Sequence, residues 1–253
     1  MVTMTLTNDA ERVPHYGVFQ LSLNIESANR HPDPEIDFTV IFTRPDGSSA
    51  TTDGFYDGRG VFKARAYADM TGEWQWASRS NRPALDGRSG RFTVVPSELK
   101  GQLRHHPDDP YQFAYDNGDW FLHVGDTGYR FVADTEPEWR AYIDQAEAAG
   151  FTKIRTWFSR GRRDVQALYN PERSALNLPY WQEIDRRLTY ALNAHPRIMF
   201  KLIPYGEDTD EIRRYADDPL TRSVARYAQA RFSAFPNVHW CVSNDREVVP
   251  DDT

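Results

Sequence analysis

Alternation governs the first hundred residues. The stretch 16–25 (YGVFQLSLNI) steps between apolar and polar positions, and so do 36–42 (IDFTVIF), 61–68 (VFKARAYA), 73–78 (EWQWAS) and 90–95 (GRFTVV). A period of two gives a strand one apolar and one polar face. Turn chemistry separates the runs: Pro32-Asp33-Pro34, Pro45-Asp46-Gly47, Asp57-Gly58 and Asp86-Gly87. Several short strands at this spacing, with no helical period among them, predict an immunoglobulin-like β-sandwich over 1–96. Trp74 and Trp76 are two apart and so share a face; core packing and a sugar-binding strip are both open to them.

The rhythm changes after Pro96. Residues 97–112 (SELKGQLRHHPDDPYQ) are polar and Pro-containing, and are read as a linker. Asp116-Asn117-Gly118-Asp119 is a tight-turn signal inside a hairpin-like piece, 113–127. Strands and helices then alternate. The strand-like runs are 121–126, 151–158, 197–206 and 237–245. Between them, 136–150 places Trp139, Ile143 and Ala146 at helical spacing, 177–196 does the same with Trp181, Ile184, Leu188 and Leu192, and 219–236 reads as a third helix. Nearly continuous apolar strands alternating with helices predict a parallel sheet with its helices outside. Such a sheet is either doubly wound or the first half of a (β/α)8 (TIM) barrel over 113–253. The turn Gly125-Asp126-Thr127-Gly128 lacks the glycine pattern of a dinucleotide site and puts an acid where a pyrophosphate would lie. Polar and aromatic residues gather where strands end, which is the reacting face of a barrel.

Composition narrows the function further. The formal net charge is -7 over 253 residues, which argues against nucleic acid or an anionic membrane as the main partner. No run approaches the apolar length that spans a bilayer. The N-terminus lacks the basic-then-apolar order of a signal peptide, so a cytoplasmic location is expected. The single Cys241 forms no internal disulfide. His105-His106 with Asp108-Asp109 is a poor metal set because adjacent histidines do not readily ligate one ion. Neither metal nor cofactor is expected. The run 159–164 (SRGRRD) is either a solvated loop or a site for a phosphate or acidic sugar.

These motifs resemble a family. YGVFQLSL, TRPDGS, GFYDGRGVFKARAYADMTGEW and SNRPALDGRSGRFTV are similar to the β-sandwich that precedes the barrel in bacterial glycoside hydrolases described as apiosidase-like. FLHVGDTGYRF, NLPYWQEIDRRLTYA and FPNVHWCVSND resemble the first strand, second helix and fourth strand of the associated barrel. The resemblance implies hydrolysis of O-glycosidic bonds in an oligo- or polysaccharide, with retention of configuration and with Asp245 as general acid/base. It also implies a nucleophile, usually Glu, on a seventh strand, whereas the chain ends soon after the fourth. The expectation is a truncated enzyme, inactive alone, whose open half barrel favours self-association. The alternative is a carbohydrate-binding or scaffolding module with a remnant half barrel.

Each candidate side chain has a second reading. Asp245 is either the acid/base or the cap of a turn or helix. Asn244 holds a substrate hydroxyl or belongs to a turn. Asp126 binds sugar hydroxyls or makes an Asx-turn. Arg155 orients a carboxylate or joins an interior ion pair. Trp157 and Tyr205 stack on a sugar face or fill the core.

Overall fold

The computed structural model describes residues 12–25, 36–158, 168–172, 174–204 and 219–241. The alternating half forms two sheets. One contains β1 (Arg12–Pro14), β3 (Phe38–Thr43), β4 (Ser49–Asp53), β7 (Gly72–Ser80) and β8 (Ser89–Val95), in the order β1-β8-β7-β3-β4. The other contains β2 (Val18–Asn24), β5 (Phe55–Gly58) and β6 (Val61–Tyr67), in the order β2-β6-β5. The turn Pro45-Asp46-Gly47 joins β3 to β4; Ser48 N–H donates to Asp46 Oδ1 at 2.9 Å, and Gly47 takes φ +84.

The two sheets close on the residues marked by the alternation. Phe19 stacks on Phe92 with ring centroids 3.8 Å apart, and Phe38 meets Phe62 edge-on at 5.9 Å. Trp74 is 1% exposed and donates its Nε1–H to Met70 O at 2.8 Å, so it belongs to the core. Trp76 is half-buried and lies against Gly90, where a Cβ would come within 2.7 Å of its ring.

The polar stretch 97–112 contains a strand. There β9 (Leu103–His105) pairs with β10 (Phe113–Tyr115), which pairs with β11 (Trp120–Phe121) in an antiparallel sheet. The expected tight turn links β10 to β11; Asp119 N–H donates to Asn117 Oδ1 and Gly118 sits at φ +91. The run 121–126 is not one strand. Phe121 ends the hairpin, because its ring is buried with Tyr115 and Met199, and the parallel sheet begins afresh at β12 (Gly125–Thr127).

From there the alternation of elements holds. Four strands, β12, β13 (Lys153–Trp157), β14 (Met199–Ile203) and β15 (Val238–Trp240), are all parallel and lie in chain order. Three helices, α1 (Glu136–Ala148), α2 (Leu178–Ala194) and α3 (Pro219–Phe232), accompany them. Thr135 N–H donates to Glu138 Oε2 at 2.9 Å and starts α1; Gly150 at φ +80 follows its end. Trp139, Ile143, Trp181, Ile184, Leu188 and Phe232 are buried against Ile154, Phe200 and Leu202. No helix among the described residues is long and apolar enough to cross a membrane.

A buried ionic cluster ties the sandwich to α2 and α3. Arg65 of β6 forms a bidentate pair with Asp185 of α2 (2.7 and 3.1 Å) and also donates to Gln20 and to Arg231 O. Arg231 of α3 pairs with Asp185 and with Asp57 (2.7 Å), which in turn pairs with Lys63 (2.5 Å).

Candidate active site

Side-chain parity divides the parallel sheet into two faces. Ile154, Thr156, Phe200 and Leu202 are at most 1% exposed, and all but Thr156 belong to the main core beneath the helices. The intervening residues Lys153, Arg155 and Trp157 of β13, Met199, Lys201 and Ile203 of β14 and His239 of β15 occupy the other face. Register aligns them in rows: Thr127 with Arg155 with Lys201 with His239, and Trp157 with Ile203 at the C-terminal edge.

The rows are strongly basic. Lys153 Nζ contacts His123 Nε2, and among the described residues no carboxylate pairs with Lys153 or Lys201. Burial, reinforced by Lys201 and Lys153, pushes the His239 imidazole down to about 4. His123 is shifted down by burial and the same two lysines, and Lys153 by burial, Lys201 and Arg155. Both histidines are therefore neutral at pH 7, and their ring nitrogens are acceptors or donors without charge. His239 Nδ1 is buried with no hydrogen-bond partner among the described residues.

At the C-terminal edge Arg155 and Trp157 come together around Tyr129, which lies on the 3-10 turn (Tyr129–Val132) after β12. The Arg155 guanidinium lies 5.6 Å from the Tyr129 ring centroid, and Trp157 packs against the same ring at 4.4 Å. Trp157 is 6% exposed, yet among the described residues its Nε1–H has no acceptor. A buried indole N–H normally finds one.

Asp126 stands apart from them. Its register partner is Ile154, so its side chain lies on the helix side of β12, away from Arg155 and Trp157. One carboxylate oxygen accepts Thr127 N–H at 2.7 Å, and the other accepts the hydroxyl of Tyr142 from α1 at 2.9 Å. Burial first, then this bond to Asp126, raises the Tyr142 hydroxyl well above its ordinary range, so it remains a donor. The bond to Thr127 reaches only the next residue within β12, one short of Asx-turn spacing, and Tyr142 adds a tie to α1 that spacing did not reveal. Tyr205, Asn244 and Asp245 lie outside the described residues, as does 159–164.

Sequence reasoning missed Tyr129, Tyr142, Lys153, Lys201 and His239. The signal for Lys153, Lys201 and His239 was the same alternation used in the sandwich: polar residues at every second position within apolar strands. His106 lies against Trp120 with ring centroids 3.9 Å apart and planes tilted by 34°, and its Nδ1 accepts Asp108 N–H.

Comparison with known proteins follows the same division. Residues 12–81 match a domain of unknown function (DUF5060), and 108–252 match "Apiosidase-like, catalytic domain". A solved "putative glycoside hydrolase" from Bacteroides vulgatus ATCC 8482 is similar over 93% of this chain, with a TM-score of 0.75 and 24% identity. This chain covers 50% of that one, about half its length. A family 5 glycoside hydrolase from the same organism matches 58% of this chain and 33% of its own, with 15% identity and a TM-score of 0.43, too loose a superposition to carry weight. No curated protein matches. The Bacteroides structure shares the fold, both the paired sheets and the parallel sheet beside them. The catalytic-domain match extends over more than half of the residues, and the chain belongs to the apiosidase-like catalytic domain family.

Proposed function

We propose that the parallel sheet is the first half of a (β/α)8 barrel and that it serves hydrolysis of O-glycosidic bonds in an oligo- or polysaccharide. The observation that carries this reading is the chain order of β12 to β15. A doubly wound sheet reverses direction at a switch point, whereas a barrel adds each strand beside the last. The C-terminal edge then faces substrate. Trp157 and Tyr129 supply an aromatic wall there and Arg155 supplies a donor, with Tyr205 and Asn244 as further candidate substrate contacts. Asp126 sets the turn into Tyr129 through its bonds to Thr127 and Tyr142.

In this proposal Asp245, just beyond β15, is the general acid/base. It protonates the leaving glycosidic oxygen and then deprotonates water. A retaining reaction needs a nucleophilic carboxylate about 5–5.5 Å away. That residue belongs to a later strand, so residues 1–253 alone are expected to turn over little or no substrate.

The test uses a panel of aryl glycosides and polysaccharides. In whichever form of the protein hydrolyses one of them, Asp245→Asn is expected to lower kcat roughly 100- to 10,000-fold with KM little changed. An unchanged kcat removes Asp245 from the reaction. Hydrolysis by residues 1–253 that Asp245→Asn abolishes would place the second carboxylate within this chain.

A further inference from the structure

A cavity of about 340 Å³ lies between the sandwich and α3, away from the reacting edge. It opens to solvent, with Gln229 and Ser233 exposed at its rim. Small side chains from both sides keep it open: Ala50 and Ala66 from the sandwich, Ala230 and Ala234 from the end of α3 and just beyond. No residue of the parallel strands lines it. Because α3 leads into the start of β15, the cavity sits toward the N-terminal ends of those strands, opposite the proposed catalytic edge.

Its walls carry charges that are already matched. Arg44 pairs with Asp69 at 2.8 and 2.9 Å, Asp53 with Arg226 at 2.9 Å, and Arg65 with Asp185 at 2.7 Å. An ionic ligand would meet no uncompensated partner, and burying one would cost several kcal/mol. Uncharged hydrogen-bonding capacity remains. Arg44 spends two N–H groups on Asp69, and its guanidinium is held 5.3 Å over the Trp74 ring, which orients its remaining donors. Thr52 Oγ1 has no partner among the described residues but is closed off from solvent, so it adds nothing to the wall. Ser233 Oγ accepts from Trp240 Nε1 at 3.1 Å, leaving its own proton to donate. The amide of Gln229 lines the same wall.

We propose that this cavity binds a neutral polyhydroxylated ligand of the saccharide class, gripped between the sandwich and α3. Sugar hydroxyls donate and accept, which suits a wall of Arg, Ser and Gln groups around an alanine-lined floor. The volume lies at the small end of the range for ligand pockets, which fits a short saccharide. Binding would join the two layers at a site separate from the one that does the chemistry.

The experiment is calorimetric titration and saturation-transfer NMR of the full 253-residue chain with D-glucose, D-galactose, D-xylose and cellobiose, and with D-glucuronate as the charged control. At least one neutral sugar is expected to bind more tightly than glucuronate. Ala230→Phe, which fills the cavity, is expected to abolish that binding. Arg44→Met and Gln229→Ala are expected to weaken it roughly three- to tenfold, the worth of one hydrogen bond. Trp157→Ala, at the other edge, is expected to leave it unchanged, which separates this site from the proposed catalytic one. The proposal is overturned if no neutral sugar binds, if glucuronate binds best, or if binding follows Trp157 instead of the cavity residues. Should Ala230→Phe fail to fold, the Arg44 and Gln229 variants, at unaltered thermal stability, decide the matter.

Discussion

His239 shows how a single residue reports its surroundings. Its ring is removed from water and faces Lys201, Lys153 and His123, which all disfavour its cation. A folded pKa near 4 against an unfolded value near 6.5 means that the unfolded chain binds more protons between those limits. Stability contributed by the neutral ring is fully present above about pH 6.5 and is lost as pH falls towards 4. The loss should reach on the order of 3 kcal/mol. Urea unfolding of the wild type and of His239→Gln at pH 7 and pH 4.5 measures it: the gap between the two proteins should shift in favour of the variant at the lower pH. An equal gap at both values would show that His239 does not titrate between them. Arg155 and Trp157 were legible as strand-end residues. Their shared contact with Tyr129 was not, because it depends on a turn closing over a strand some thirty residues later.

At the scale of elements, hydrophobic period read well where each strand or helix had one buried side. The buried stripes of α1 and α2 coincide with Trp139, Ile143 and Ala146 and with Trp181, Ile184, Leu188 and Leu192. The period failed at 121–126, where one apolar run serves two sheets. What separates them is packing: Phe121 is taken by Tyr115 and Met199, while Gly125 begins the pairing with β13. A Cβ on Gly125 would lie 2.4 Å from Lys153 O, a backbone atom that cannot swing aside. Gly125→Ala should therefore push β12 away from β13, at a cost of about 1–3 kcal/mol. Hydrogen exchange at Gly128 N–H, which donates to Arg155 O at 2.9 Å, should accelerate in the variant. Unaltered exchange and stability would mean that the edge strand absorbs the methyl group without moving.

The whole molecule depends on its buried charges. Arg65, Arg231 and Lys63 converge on Asp57 and Asp185 at the junction of sandwich and helices. Arg65 and Arg231 also lie over the Phe55 ring, at 5.1 and 4.9 Å. Burial works to raise the Asp57 carboxyl, but Arg231 and Lys63 outweigh it and hold the group below the usual carboxylate range. Breaking a buried network by removing one charge leaves the others uncompensated, typically at 3–5 kcal/mol. Asp185→Asn is expected to lose about that much in chemical denaturation, and to loosen the sandwich and the helices together. A loss below about 1 kcal/mol would show that water or rearrangement compensates the arginines. The same cluster bears on the alternative of a sandwich that works alone: without α2 and α3, Arg65 would keep only Gln20 among its described hydrogen-bond partners, with the Phe55 ring beneath it.

The alternation of the parallel strands with helices, the sandwich core and the stripes that bury the helices follow from the sequence alone, because period and turn chemistry act over a few residues. The tertiary structure decided everything that joins residues far apart in the chain. It turned Asp126 towards Tyr142, gathered Lys153, Lys201 and His239 onto one face, and set Arg65 against Asp185, a separation of 120 residues. Neither the ionic junction nor the cavity beside it has a local pattern, since a charge that will be buried looks in sequence like any charge on a solvated surface. Only the packing of two sheets against two helices distinguishes the two.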